Sequence, residues 1–206
     1  MKPFSQVRGP AISLPEANID TDVIFPARFL VITASEGLGR YAFYDRRYDT
    51  AGNPQPDCVF NRPEMDGAPI LVTGANFGCG SSREQAVWAI MGMGLTCIIA
   101  PSFGEIFAAN CIRNGILTVC LDDKEIAKLH LYAAAGAALS VDLQGCAISV
   151  DGAIFPFAIA EHHRQALLNG WDETDTILAQ DAGAIADFEG RQRMTQPWLY
   201  IQGESR

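Results

Sequence analysis

Only three histidines occur in the 206 residues, and the six cysteines, at 58, 79, 97, 111, 120 and 146, form no C-x-x-C and have no histidine at metal-ligand spacing. A metal site built from this chain's own residues is therefore not expected. No stretch approaches the roughly 20 apolar residues of a membrane-spanning helix. The first residues, "MKPFSQVRGP", also lack the apolar run of a signal peptide. The expectation is a soluble, cytoplasmic protein without a membrane partner. Basic residues are scarce: 15 Lys and Arg are scattered among 24 acids, for a net charge of -9. That balance argues against nucleic acid, which needs clustered cations to meet its phosphates. An anionic small molecule would need a specific arginine or a helix N-terminus set against this acidic background.

What is present is apolar material, 49% of the chain, enough for the core of one domain spanning 1–206. Residues 1–66 are rich in Pro, Gly, Asp and aromatics, and 32–57 shows no sustained period, which predicts a long mobile loop or lid with fragments of helix. Residues 67–160 read as an α/β core. "PILVTG", "TCIIAP" and "ILTVCL" are short apolar runs predicting buried strands, joined by helical patterns in "SREQAVWAIMGMG" and "SFGEIFAANCIRNG". Strands joined by single helices imply parallel pairing. Asp122 is the expected N-cap of the next helix and Gly136 its C-terminal stop, followed by an added hairpin around Gln144-Gly145. Residues 161–206 read as a helical extension, with one helix ending at Gly170 and a break near Gly183. Cys97, Cys111 and Cys120 sit in apolar segments and are expected to be buried. His130, His162 and His163 lie in helical patterns that suit structural roles.

One stretch combines more polar chemistry than a helix start requires: "GANFGCGSSREQAVWAI", residues 74–90. Ser81 and Glu84 match the capping box S-x-x-E, in which Ser81 accepts from the Glu84 N–H and Glu84 reaches back. Nucleotide and hydrolase motifs fail here: G-x-G-x-x-G meets Arg83, a P-loop lacks its lysine, and G-x-S-x-G meets Glu84. A glycine-lined strand-to-helix turn remains, where helix N–H groups, two hydroxyls and one guanidinium converge. Such a turn suits a carboxylate, which arginine holds through two charge-assisted bonds. The same positive surroundings would make a serine alkoxide usable as a base. Cys79 lies in this loop, where a helix N-terminus can lower a thiol pKa.

"NFGCGSSRE" (76–84), "NIDTDVIFPARFL" (18–30) and "IIAPSFGEIFAANCIRNGIL" (98–117), in that setting, resemble the 3-isopropylmalate dehydratase small-subunit family, and the likeness runs on through "EHHRQALLNGWDETDTIL" (161–178). The resemblance implies a swivelling β/β/α domain of the aconitase type, with a partly parallel sheet flanked by helices, an added hairpin and C-terminal helices. It also implies a hydro-lyase of leucine biosynthesis, active only with a large subunit in a heterodimer or larger assembly. The [4Fe–4S] cluster is expected on that partner, and the substrate is a small 2-hydroxy dicarboxylate.

Carried onto this chain, the family pattern makes Ser81 the base, Ser82 and Arg83 the holders of a substrate carboxylate, and Asp22 a neighbour that orients an arginine or the closing loop, with Thr21 beside it. Asp20 and Asp22 also read as ordinary turn or cap residues. Substrate choice falls on "PARFLVIT" (26–33), where Leu30 and Val31 suit an isopropyl group or simply pack into the core, and Arg28 suits a further acidic group. Gln85 and Val87 depart from the His and Pro of many relatives. A paralogue acting on citramalate, dimethylmalate or homoaconitate, or a non-catalytic carboxylate-binding module, are the alternatives.

Overall fold

A computed structural model of the chain describes residues 1–200, apart from Thr33, Ser35, Ser81 and Ser82. It contains two compact units, Met1–Gly170 and Trp171–Arg206. Among the described residues no helix is long and apolar enough to cross a membrane.

The first unit begins with strands β1 (Gln6–Gly9) and β2 (Ala11–Leu14), which belong to different sheets although only Pro10 separates them. A long connection then carries the one-turn helices α1 (Thr21–Ile24) and α2 (Tyr44–Arg47). Its middle is anchored, since Leu38, Ala42 and Phe43 are buried in the core and Phe43 stacks on Phe60 with ring centres 4.2 Å apart.

From residue 70 the chain alternates strand and helix: β3 (Ile70–Thr73), α3 (Glu84–Gly92), β4 (Cys97–Ala100), α4 (Glu105–Arg113), β5 (Leu117–Cys120) and α5 (Asp123–Ala134). The parallel sheet has the order β2-β3-β4-β5. Because side chains alternate across a strand, each strand serves two cores. Leu71 and Ile98 face one core with Val87 and Ile90 of α3 and Phe107 of α4. Val72 and Ile99 face the other, with Ile126 and Leu129 of α5. That second core is closed by an antiparallel sheet of order β1-β6-β7-β8, in which β6 (Leu139–Asp142), β7 (Ala147–Val150) and β8 (Ala153–Pro156) supply Val141, Ile148 and Phe155. The expected hairpin is thus one part of a complete four-stranded layer. Its missed strand, β8, turns back at Asp151-Gly152, both at positive φ, a pair of residues suited to a tight hairpin turn.

Two further expectations are corrected. Cys120 is exposed, because β5 is an edge strand with an alternating burial pattern and Cys120 falls on its uncovered side. Cys97 and Cys111 are buried as expected, and burial pushes both thiols well up. The helix start is also displaced: α3 begins at Glu84 with Arg83 as N-cap and no side-chain cap bond from it. Packing explains why this start suffices, since burying Val87 and Ile90 contributes roughly 1.5–3 kcal/mol each, against about 0.5–2 kcal/mol for a good cap.

Thr73, at the end of β3, is fully buried, and among the described residues its hydroxyl has no hydrogen-bond partner. An unmet buried hydroxyl costs about 1–3 kcal/mol. Thr73→Val is therefore expected to raise the urea midpoint by the equivalent of about 1 kcal/mol, with an unchanged m value. A lower midpoint would show that the hydroxyl has a partner in solution.

α6 (Glu161–Asn169) ends at Gly170 in the left-handed conformation expected of a helix stop. The second unit contains α7 (Glu173–Thr195), capped by Asp172 and Asp175, each accepting from the other's backbone N–H at 2.8 and 3.1 Å. The break expected near Gly183 is absent. One helical glycine costs only about 0.5–1 kcal/mol relative to alanine, too little to interrupt 23 residues. Open space surrounds Gly183, so Gly183→Ala should slow amide exchange within α7 by the factor of about two to five that this energy implies; faster exchange would contradict it.

Candidate active site

The three sequence motifs form one structure at the carboxyl ends of the parallel strands. Beyond β2, the segment 18–21 runs beside 75–79: Asn18 N–H donates to the Ala75 carbonyl at 2.8 Å, Gly78 N–H to Ile19 at 2.7 Å and Thr21 N–H to Cys79 at 3.0 Å. On its other side the same loop binds the segment beyond β4, where Phe77 N–H donates to the Ser102 carbonyl at 3.1 Å and Gly104 N–H to Phe77 at 2.8 Å. Gly78 is required here. Its φ is +72°, and a Cβ would lie 2.2 Å from the Phe107 ring. The Gly-rich loop is therefore a strand extension clamped on both edges across 75–79.

Asp20 and Asp22 have different roles. Asp20 is the N-cap of α1, its Oδ1 accepting from Val23 N–H at 2.8 Å. Asp22 does not cap: its Oδ1 accepts from Arg83 Nη1, joining two motifs 61 residues apart. The side chains are 53% and 24% exposed, so the pair adds at most about 1 kcal/mol of stability. Orientation of Arg83 is its more consequential effect. A guanidinium carries five N–H donors, so one bond to Asp22 is compatible with a two-point grip on a carboxylate. Thr21 is buried beneath this pair's segment. Ser81 and Ser82 lie outside the described residues.

The proposed specificity residues diverge. Leu30 is half-buried against the core, whereas Val31 is 85% exposed. Arg28 is committed to Asp45, donating through both terminal nitrogens, Nη1 to Oδ2 at 3.0 Å, and lies over the Phe29 ring at 4.6 Å. The histidines stand apart from the site: His130 Nδ1 is 2.8 Å from Ser13 Oγ on the α5 side of the sheet, where burial lowers its pKa, and His162 and His163 in α6 lie with tilted rings, centres 4.1 Å apart. Sequence reasoning missed Asn114, at the C-terminus of α4. It receives the Glu84 carboxylate that the capping box assigned to the Ser81 backbone, donating to Oε1 at 2.8 Å. A groove of about 530 Å³ flanks this contact, but its rim carries the carboxylates of Glu36 and Glu84 and no cation among its lining residues, so it repels a dicarboxylate. Among the described residues no group of three or more His, Cys, Asp or Glu could hold a metal ion.

The glycine loop clamped at the ends of parallel strands, with an aspartate-held arginine at the following helix start, sits in a mixed α/β fold of the aconitase type, as the comparisons with known proteins show. The family model for the aconitase C-terminal domain matches residues 1–124, and the model for the C-terminal domain of the 3-isopropylmalate dehydratase small subunit matches residues 180–201. The chain belongs to the 3-isopropylmalate dehydratase small-subunit family. It is 45% identical over 202 residues to the 3-isopropylmalate dehydratase small subunit of Parvibaculum lavamentivorans, covering 97% of this chain and 100% of that one. It is 46% identical over 194 residues to that of Anaeromyxobacter dehalogenans, covering 94% and 100%. The crystal structure of a 3-isopropylmalate dehydratase from Methanocaldococcus jannaschii is similar, with a TM-score of 0.64 at 26% identity, covering 88% of this chain and 99% of that one.

Proposed function

We propose that this chain is the small subunit of a 3-isopropylmalate dehydratase, a hydro-lyase that interconverts 2- and 3-isopropylmalate in leucine biosynthesis by removing water and restoring it with the hydroxyl on the neighbouring carbon. The observation that carries the reading beyond family membership is the Asp22–Arg83 pair at the mouth of the clamped loop. Arg83 grips a substrate carboxylate with Ser82, Asp22 holds the guanidinium in register, and Ser81 removes the proton from the carbon beside that carboxylate. The N-terminus of α3 adds a positive field worth about 0.3–1 kcal/mol to any negative group held there, favouring both the bound carboxylate and the serine alkoxide. The site is completed by a large partner whose [4Fe–4S] cluster supplies the Lewis acid for departure of the substrate hydroxyl.

The structure also bears on substrate choice. Homoaconitate would bring a third carboxylate, and the arginine best placed in the motif to meet it, Arg28, is engaged by Asp45. Leu30 and exposed Val31 offer apolar contact instead, which favours an isopropyl group. The test is genetic. In a bacterium deleted for its own small subunit, this chain expressed with its cognate large subunit should restore growth without leucine. Expression of both proteins without growth would overturn the reading.

A further inference from the structure

Among the contacts around the loop, one joins α3 to α4 through a single side chain. Asn114 Nδ2 donates to Glu84 Oε1 at 2.8 Å and to the Asn110 carbonyl at 2.8 Å, while its Oδ1 accepts from Trp88 Nε1 at 3.1 Å. The amide orientation follows from chemistry, since an indole N–H can only donate and a carboxylate can only accept. All three bonds fit one orientation and no flipped one.

Glu84 and Trp88 are four residues apart, and so stand on the same face of α3 one turn from each other. Core packing of Ala86, Val87, Ala89 and Ile90 fixes the rotation of the helix body, but Glu84, in the first turn, lies outside that buried face. Asn114 therefore ties down the first turn of α3. The residue immediately before Glu84 is Arg83, which lacks a side-chain cap bond of its own to fix the helix start. The Asn110 bond anchors the clamp in turn, by tying the Asn114 amide to an end carbonyl of α4.

We propose that Asn114 is a positioning residue: acting through Glu84 and Trp88, it holds the first turn of α3 in place and so aims the Arg83 guanidinium along the line set by Asp22. The functional consequence rests on the proposed role of Arg83 in carboxylate binding, whereas the mechanical link does not. Removing the clamp leaves the proton-transfer chemistry in place and degrades substrate grip, so KM rises and kcat changes little.

The test uses the assembled two-subunit enzyme and five variants. Asn114→Leu keeps the side chain's approximate size and is expected to raise KM tenfold or more with kcat within threefold. Combined with Arg83→Lys it should add no more than twofold to the KM of Arg83→Lys alone, because both act on one grip. Asn114→Asp sets two carboxylates against each other and should raise KM similarly; adding Glu84→Gln, whose amide can donate to the new carboxylate, should bring KM back at least threefold toward the native value, the Asn110 carbonyl still lacking its donor. This rescue separates aim from general damage even where Asn114→Leu folds poorly. An unchanged KM in Asn114→Asp, or multiplicative effects with Arg83→Lys, would overturn the proposal. If Arg83→Lys alone leaves KM unchanged, the carboxylate role of Arg83 fails instead. The link is then decided by NMR: the Arg83 Nε–H and Trp88 indole signals must both shift in Asn114→Asp and return with Glu84→Gln, and a stationary Arg83 signal overturns it.

Discussion

Replacing Ser81 by alanine is expected to lower kcat for isopropylmalate isomerisation by about 10²- to 10⁴-fold, the span that a positioned general base supplies, while the variant still assembles with the large subunit. Serine is a poor base at neutral pH without help, and the help is local. Arg83 is held by Asp22, the first turn of α3 presents its N–H groups, and the strand extension 75–80 is fastened on both sides. Each of these survives Ser81→Ala, so the loss should appear in the chemical step and leave KM within a few-fold. Turnover within tenfold of the native rate would remove Ser81 as the base.

Arg83→Lys is expected to act in the opposite column of the kinetics. A hydrogen bond to a charged group contributes about 1.5–3 kcal/mol, and lysine, a point charge without the planar fork, gives up one of the two bonds to the carboxylate. At about 1.4 kcal/mol per factor of ten, KM should rise by about 10- to 100-fold. The carboxylate is held alike before and during proton transfer, so kcat should fall by less than about threefold. A steady-state comparison with the native complex checks both numbers. A KM within twofold of native would show that some other group carries the substrate carboxylate.

Parts of this architecture are legible in the chain and parts are not, for physical reasons. β3 and β4 appear as apolar runs because both faces of the parallel sheet are covered there, whereas β5, at the edge, is apolar only on its covered side. β1 and β2 leave no such signal: polar residues interrupt both, and Pro10 between them suggests a turn where the chain in fact passes from one sheet to the other. β8 is signalled by Asp151-Gly152, a strong hairpin pair placed between alternating residues. The capping box read in Ser81-x-x-Glu84 rests on Ser81, outside the described residues; what no local pattern shows is that Glu84 accepts from Asn114, 30 residues away.

The site divides similarly. Local chemistry points to Arg83, and family resemblance brings in Asp22, yet neither spacing nor periodicity can bring residues 22 and 83 together. That contact comes from the pairing of 18–21 with 75–79. Arg28 shows the converse: alone in the sequence it is a free cation, and only the fold reveals Asp45 beside it. Asn114 is invisible at the sequence level, since an asparagine before a glycine reads as nothing more than a helix end.

The central proposal is that the chain supplies half of an active site for an apolar-substituted malate, the other half lying on a cluster-bearing large subunit. The most direct measurement is anaerobic reconstitution with the cluster-bearing large subunit, followed by kcat/KM on 2-isopropylmalate, citramalate, dimethylmalate and homoaconitate. Contact of the isopropyl group with Leu30 and Val31 predicts that isopropylmalate exceeds citramalate by about 10- to 200-fold, the range that one small apolar group can provide, with homoaconitate lowest. An assembled complex that turns over none of the four substrates, or one that prefers homoaconitate, would contradict the account.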